Sequence, residues 1–218
     1  MTAEFGRSFP CNIFIYQDFS DNSPITLYEK SPCGAYKINL NVTDRYWCKY
    51  IYQFSHEYCH IRTNYSLSRY DQRIKWFEET ICELASIFTL KKMSISWKTN
   101  PPLPSLKSFS DSIAEYVKSI ITDPSHQLPK GSNFPTWFKD NLPLLERNQY
   151  IRDSNSLIAI TLLPLFEKHP SLWNSMTYWN SWKPNQGNDI HSCLQLWLKS
   201  LPEKNKEGAT SLADIFNI

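Results

Sequence analysis

The chain changes its hydrophobic period near residue 43. Before it, "NIFIYQD", "ITLYEK" and "AYKINLNV" mix β-branched and aromatic residues with polar ones, separated by the turn formers "SDNSP" and "SPCG". That pattern predicts three short strands. After Thr43-Asp44, the expected N-cap, Trp47, Ile51, Phe54 and Tyr58 recur at steps of four and three. This is the spacing of a helix with one apolar face. A polar connection, "RTNYSLSRYD", leads to a second helix expected from about Asp71. Its apolar stripe is Ile74, Phe77, Ile81, Leu84 and Phe88, with Lys91 and Lys92 at a C-terminal end that favours cations.

"KTNPPLPS", from Lys98 to Ser105, places three prolines in four residues and stops any helix. It divides the chain into an N-terminal subdomain (1–99), a Pro-rich linker (100–106) and a helical C-terminal subdomain (107–218). Helices are expected there over 110–122, 135–147, 153–168, 170–180, 189–200 and 210–216, with a kink at Pro164. The expected class is α+β: a small N-terminal sheet packed on two helices, followed by a helical bundle.

Composition narrows the function. With 218 residues, 41% of them hydrophobic and 15% aromatic, the chain has the material for a buried core. A net charge of +2 with both signs interspersed leaves no basic stripe, so nucleic acid is not an expected partner. The N-terminus has no charged start leading into a long apolar run. The longest apolar run, "LIAITLLPLF", is too short to span a bilayer and contains Pro164. No membrane association and a cytoplasmic location are the expectations. Six scattered cysteines without a C-x-x-C pair read as reduced thiols. Five isolated glycines exclude a phosphate-binding glycine loop and the Rossmann fingerprint, and no G-x-S-x-G elbow is present.

The chemistry concentrates in "YQFSHEYCHI", Tyr52 to Ile61. His56 and His60 stand four apart on one helix face, so both imidazoles can reach one point. On their own, these residues also suit a solvated polar helix face. A catalytic zinc site needs three protein ligands and one open position. After His60 come eighteen residues and then Glu79, inside "WFEETICELAS", and Glu83 follows one turn later.

This H-E-x-x-H, eighteen residues, then Glu pattern resembles the gluzincin metallopeptidases, the aminopeptidase N family above all, whose ligand Glu commonly lies in a W-x-x-E segment. Trp76 to Glu79 fits that segment. The resemblance implies a zincin-like fold with His56, His60 and Glu79 as Zn2+ ligands. It implies Glu57 as the general base that deprotonates water on the metal and returns the proton to the leaving amine. It implies Glu83 as the acid that orients a ligand histidine. Tyr150, in "NQYIRDSNSLIAITLLPLFEKHPSLW", falls where the family places a Tyr that donates to the oxyanion. Two features depart from the family. Arg152-Asp153-Ser154 replaces the usual Lys-Gly after that Tyr. "CGAYKINL" keeps Gly34-Ala35 but lacks the acid that grips a substrate amine, so aminopeptidase specificity is not implied.

Other residues read more simply. Glu78 is expected to point to solvent beside the ligand. Cys59 and Cys82, inside the motif helices, read as small buried hydrophobes rather than ligands. His126, His169 and His191 suit surface or capping roles. The aromatic run Trp173 to Trp182 suits core more than a substrate groove. The expected function is zinc-dependent hydrolysis of a peptide or protein substrate. The alternatives are a metal-binding, catalytically silent interaction protein and a zinc hydrolase of a non-peptide small molecule.

Overall fold

A computed structural model describes residues 12–19, 23–65, 74–182 and 189–216. Within them the architecture is α+β and mostly helical, with one three-stranded sheet and eight α-helices. Strands β1 (Ile13–Gln17), β2 (Ile25–Thr26) and β3 (Tyr36–Leu40) order as β1-β3-β2. β3 is central, parallel to β1 in the register Ile13↔Tyr36 and antiparallel to β2 in the register Thr26↔Ile38. The turn into β3 relies on Gly34, whose φ of 80° lies in the left-handed region that a side chain disfavours. Ile38 and Leu40, two apart on β3, pack with Ile61 of α1 and with Tyr65, so the sheet's buried face rests on the motif helix.

Helix α1 (Trp47–Arg62) carries the H-E-x-x-H segment. It begins after Tyr46, and Thr43-Asp44 does not cap it. Asp44 instead adopts a left-handed φ of 54° in the turn upstream. The expected apolar face holds from Ile51 to Tyr58, but Trp47 at its start is 52% exposed.

Helix α2 (Lys75–Thr99) is longer than its pattern predicts. The expected start at Asp71 lies outside the described residues, and the helix continues past Lys91 and Lys92 to the proline-rich break. Lys98 occupies the last turn, while Lys91 instead pairs with Glu167, Nζ to Oε1, at 2.7 Å. The stripe Ile74 to Phe88 is buried as expected, but so are Trp76, Cys82, Ile87 and Leu90 on other faces. α2 is the central helix, packed by α1, α3 (Phe109–Ile121) and α5 (Arg152–Lys168). A helix buried on most sides shows a weaker amphipathic stripe than a surface helix.

The remaining helices are α4 (Phe134–Arg147), α6 (Ser171–Met176), α7 (Ile190–Ser200) and α8 (Lys206–Ile215). α6 stops well before residue 180; turns follow, ending at Asn180 with a left-handed φ of 61°. α8 starts earlier than residue 210. One cluster of buried apolar residues runs from Tyr58 on α1 to Phe216 after α8, across the proline-rich break. Trp173, Met176, Trp179 and Trp182 of the aromatic run belong to this core. The five described cysteines are free thiols; Cys11 lies outside the described residues. No described helix is long and apolar enough to cross a membrane.

Candidate metal centre

Three elements enclose a cavity of about 520 Å³: β2, the middle of α1 and the first three turns of α2, with the start of α5 closing one side. His56, Glu57, His60, Glu79, Glu83 and Tyr150 all line it. The H-E-x-x-H segment and the Glu79 segment therefore face one another, because α1 and α2 pack side by side.

The orientation of the two imidazoles is the informative feature. His56 Nε2 lies 3.3 Å from Glu79 Oε2, and His60 Nε2 lies 3.7 Å from Glu79 Oε1. Each ring turns its other nitrogen to a different acid. His60 Nδ1 meets Glu78 Oε1 at 2.9 Å, a charge-assisted hydrogen bond. His56 Nδ1 faces Glu83 Oε2 at 4.0 Å, an ion-pair distance longer than a hydrogen bond. Both Nε2 atoms thus converge on one carboxylate.

Glu78 does not point to solvent. It is buried, and besides His60 it accepts from Asn180 Nδ2 at 2.9 Å and from Thr63 Oγ1 at 3.3 Å. Helix α2 is buried on this side by the C-terminal segment, which the local pattern around Glu78 does not report. Asn180 also donates to the Thr63 carbonyl at 3.0 Å, and Asn64 donates to the carbonyls of Thr177 and Trp179 at 2.8 and 2.9 Å. Both asparagines adopt left-handed backbone conformations, which Asn tolerates better than most residues. Together they fasten the 177–180 turns to the end of α1.

Glu83 is buried too, and is held by the Tyr52 hydroxyl and by Ser156 Oγ at 3.2 Å. Burial, with the charge and hydrogen bond of Glu83, holds the Tyr52 phenol well above its usual range. Glu57 Oε2 lies 2.9 Å from Thr26 Oγ1, which is also 3.0 Å from the Glu57 carbonyl. Residue 26 on β2 thereby ties the Glu57 side chain to the sheet. Tyr150 stands at the rim, 65% exposed, just before α5. Sequence reasoning missed Glu78, Tyr52, Thr26 and Asn180. Only the adjacency of Glu78 to Glu79 offered a signal, and the others reach the site from 31 to 102 residues away by tertiary packing alone.

His60 and Glu79 shift one another. Burial disfavours a protonated His60, but Glu79, Glu78 and Glu57 outweigh it and hold His60 well above the usual imidazole range. Burial likewise opposes ionised Glu79, yet His60 and His56 keep its carboxyl below the usual carboxylate range. Cys82 is also near: its Sγ and a ring nitrogen from each of His56 and His60 lie within 4.8 Å of one another, close enough to hold a metal ion. Burial, reinforced by the neighbouring Cys59, pushes the Cys82 thiol well above its usual range. His126, expected in a surface or capping role, donates from Nδ1 to the Ile120 carbonyl at the end of α3 at 2.7 Å and lies 3.7 Å from Asp153 Oδ1.

No family model, curated protein or solved structure matches the chain.

Proposed function

We propose that the protein is a zinc-dependent hydrolase acting on peptide bonds, with His56, His60 and Glu79 as ligands and Glu57 as general base. The likeness to the gluzincins rests on the spacing of those four residues. The observation that carries the reading is the pairing of each imidazole: Nε2 toward Glu79, Nδ1 toward a buried carboxylate. Ligand histidines are characteristically oriented this way, by an acceptor on the second nitrogen. Ligand atoms about 2.0–2.1 Å from a tetrahedral zinc stand about 3.3 Å apart. The Nε2-to-Glu79 distances of 3.3 and 3.7 Å fit such a set with little movement. Cys82 is the weaker third ligand, because its thiol must first lose a proton that burial retains.

When bound, zinc supplies a Lewis acid for the scissile carbonyl and acidifies water. The chain's residues do the rest. Glu57, held by Thr26, takes the proton of the attacking water and later delivers it to the leaving amine. Tyr150, its hydroxyl free at the rim among the described residues, donates to the oxyanion as charge develops. Glu78 keeps the His60 imidazole aimed through its hydrogen bond, and Glu83 faces the His56 imidazole at ion-pair distance.

The test is metal content and turnover together. Protein purified without chelators should carry one zinc per chain. Glu57→Gln should keep that zinc and lose about two to four orders of magnitude in peptide hydrolysis. Absence of zinc, with none taken up on titration, overturns the reading. A second reading, metal binding without turnover, is favoured by the His56–His60–Cys82 grouping. It requires Cys82→Ser to abolish zinc binding while Glu79→Ala leaves it intact.

A further inference from the structure

The polar side chains around the cavity divide sharply by whether the protein already uses them. The four carboxylates are engaged: Glu57 by Thr26, Glu78 by His60 and Asn180, Glu79 by both histidines, Glu83 by Tyr52 and Ser156. The amides are engaged as well. Gln53 exchanges two hydrogen bonds with the Asn41 backbone, and Asn155 donates to Gln149 while accepting from Thr80. Among the described residues, the lining side chains without a hydrogen bond or ion pair are Ser23, Tyr28, Lys75, Tyr150 and Arg152. Every one can donate, two are cations, and no carboxylate is among them.

Their position matters as much as their chemistry. Of the engaged acids Glu57, Glu78 and Glu83 are buried and Glu79 is half-buried, whereas Tyr28, Tyr150 and Arg152 are exposed and Lys75 is half-buried. The cavity therefore has a self-satisfied floor and a rim of unspent donors. Arg152 opens α5, two residues beyond Tyr150, and Lys75 opens α2, one turn before Glu79. The two cations flank the candidate centre from different walls.

From this we infer that the site selects substrates bearing a carboxylate near the scissile bond, bound by Arg152 and Lys75 with Tyr28 and Tyr150 as further donors. The carboxylate comes from an Asp or Glu side chain or from the peptide's own C-terminus; both present the same two oxygens to a guanidinium fork. A basic or amine-terminal substrate finds no free acid among the described residues of this rim, in keeping with the missing amine-gripping acid near Gly34. The inference rests on the peptide-hydrolase reading, but charge selection and hydrolysis are measured separately.

The experiment measures binding by fluorescence anisotropy to the Glu57→Gln protein, which retains the site and does not consume the probe. Four labelled peptides of one length are compared: neutral and C-terminally amidated, neutral with a free C-terminus, amidated with an internal Glu, and amidated with an internal Lys. One or both carboxylate-bearing peptides should bind about tenfold or more tighter than the neutral amide, and the lysine peptide no tighter than it. Which of the two binds tighter identifies the source of the carboxylate. Arg152→Gln with Lys75→Gln should erase the preference while zinc content and thermal unfolding stay as in the parent. The charge reversal Arg152→Glu with Lys75→Glu should turn it toward the lysine peptide. Equal binding of all four peptides, no binding of the carboxylate peptides, or a preference that survives the double substitution overturns the inference. The hydrolase reading fails on a different result, a protein without zinc or without turnover on any of the four.

Discussion

Replacing Glu78 by Ala removes one side chain with three partners, and the structure separates their fates. Asn180 Nδ2 keeps the Thr63 carbonyl at 3.0 Å, and Thr63 Oγ1 keeps the Cys59 and His60 carbonyls, both at 3.1 Å. His60 Nδ1 alone loses its acceptor, the Glu78 oxygen at 2.9 Å. A hydrogen bond to a charged group with its partner left buried costs about 1.5–3 kcal/mol, the expected loss in folding stability for the zinc-free protein. The consequence for the metal is separate. Without an acceptor on Nδ1, nothing fixes the tautomer or the ring angle that presents Nε2, and losses of this kind are about ten- to a hundredfold in affinity. The assay is zinc competition against a chelator of known affinity, run beside urea unfolding of the metal-free protein. Glu78→Gln retains an acceptor oxygen but no charge and should fall between Ala and the parent. Zinc affinity unchanged in both variants refutes the orienting role, even if stability falls, because it leaves Glu78 as a packing residue only.

The other predictions use the same site. Zinc must displace the proton that Glu79, Glu78 and Glu57 hold on His60, so affinity should rise with pH until His60 titrates and then flatten; calorimetry in buffers of differing ionisation enthalpy reads the released proton. In the metal-free protein the raised His60 contributes stability that is complete below about pH 6.5 and lost as pH rises through its folded-state value. The lowered Glu79 contributes stability present above about pH 4.3 and lost as pH falls through its own depressed value, so urea midpoints should decline on both sides. Tyr150→Phe should lower turnover about a hundredfold with zinc content unchanged; wild-type turnover would return Tyr150 to the role of a rim residue. Glu83→Gln should bring the Tyr52 phenol down toward the ordinary range, read as tyrosinate absorbance, and an unmoved titration would contradict the contact.

The elements of the site were legible in the sequence because they depend on local spacing. His56 and His60 are four apart on a helix with a clear apolar period, and Glu79 and Glu83 are four apart on the next, so each pair shares a face whatever surrounds it. The strands and the stop at the prolines were legible for the same reason: β-branched and aromatic runs bounded by turn formers, and the missing proline N–H, are properties of a few consecutive residues. Tertiary structure alone decided what lies behind the candidate ligands. Glu78 looks like a surface acid on α2 until the turns ending at Asn180 bury it, a contact 102 residues away in sequence. Thr26, an unremarkable strand residue, meets Glu57 only because β2 lies beside α1, and Tyr52 meets Glu83 only because α1 lies against α2. A helix boundary or face is fixed by neighbours a turn apart. A buried carboxylate's partner is fixed by which distant segment completes the core, and no period in the chain encodes that.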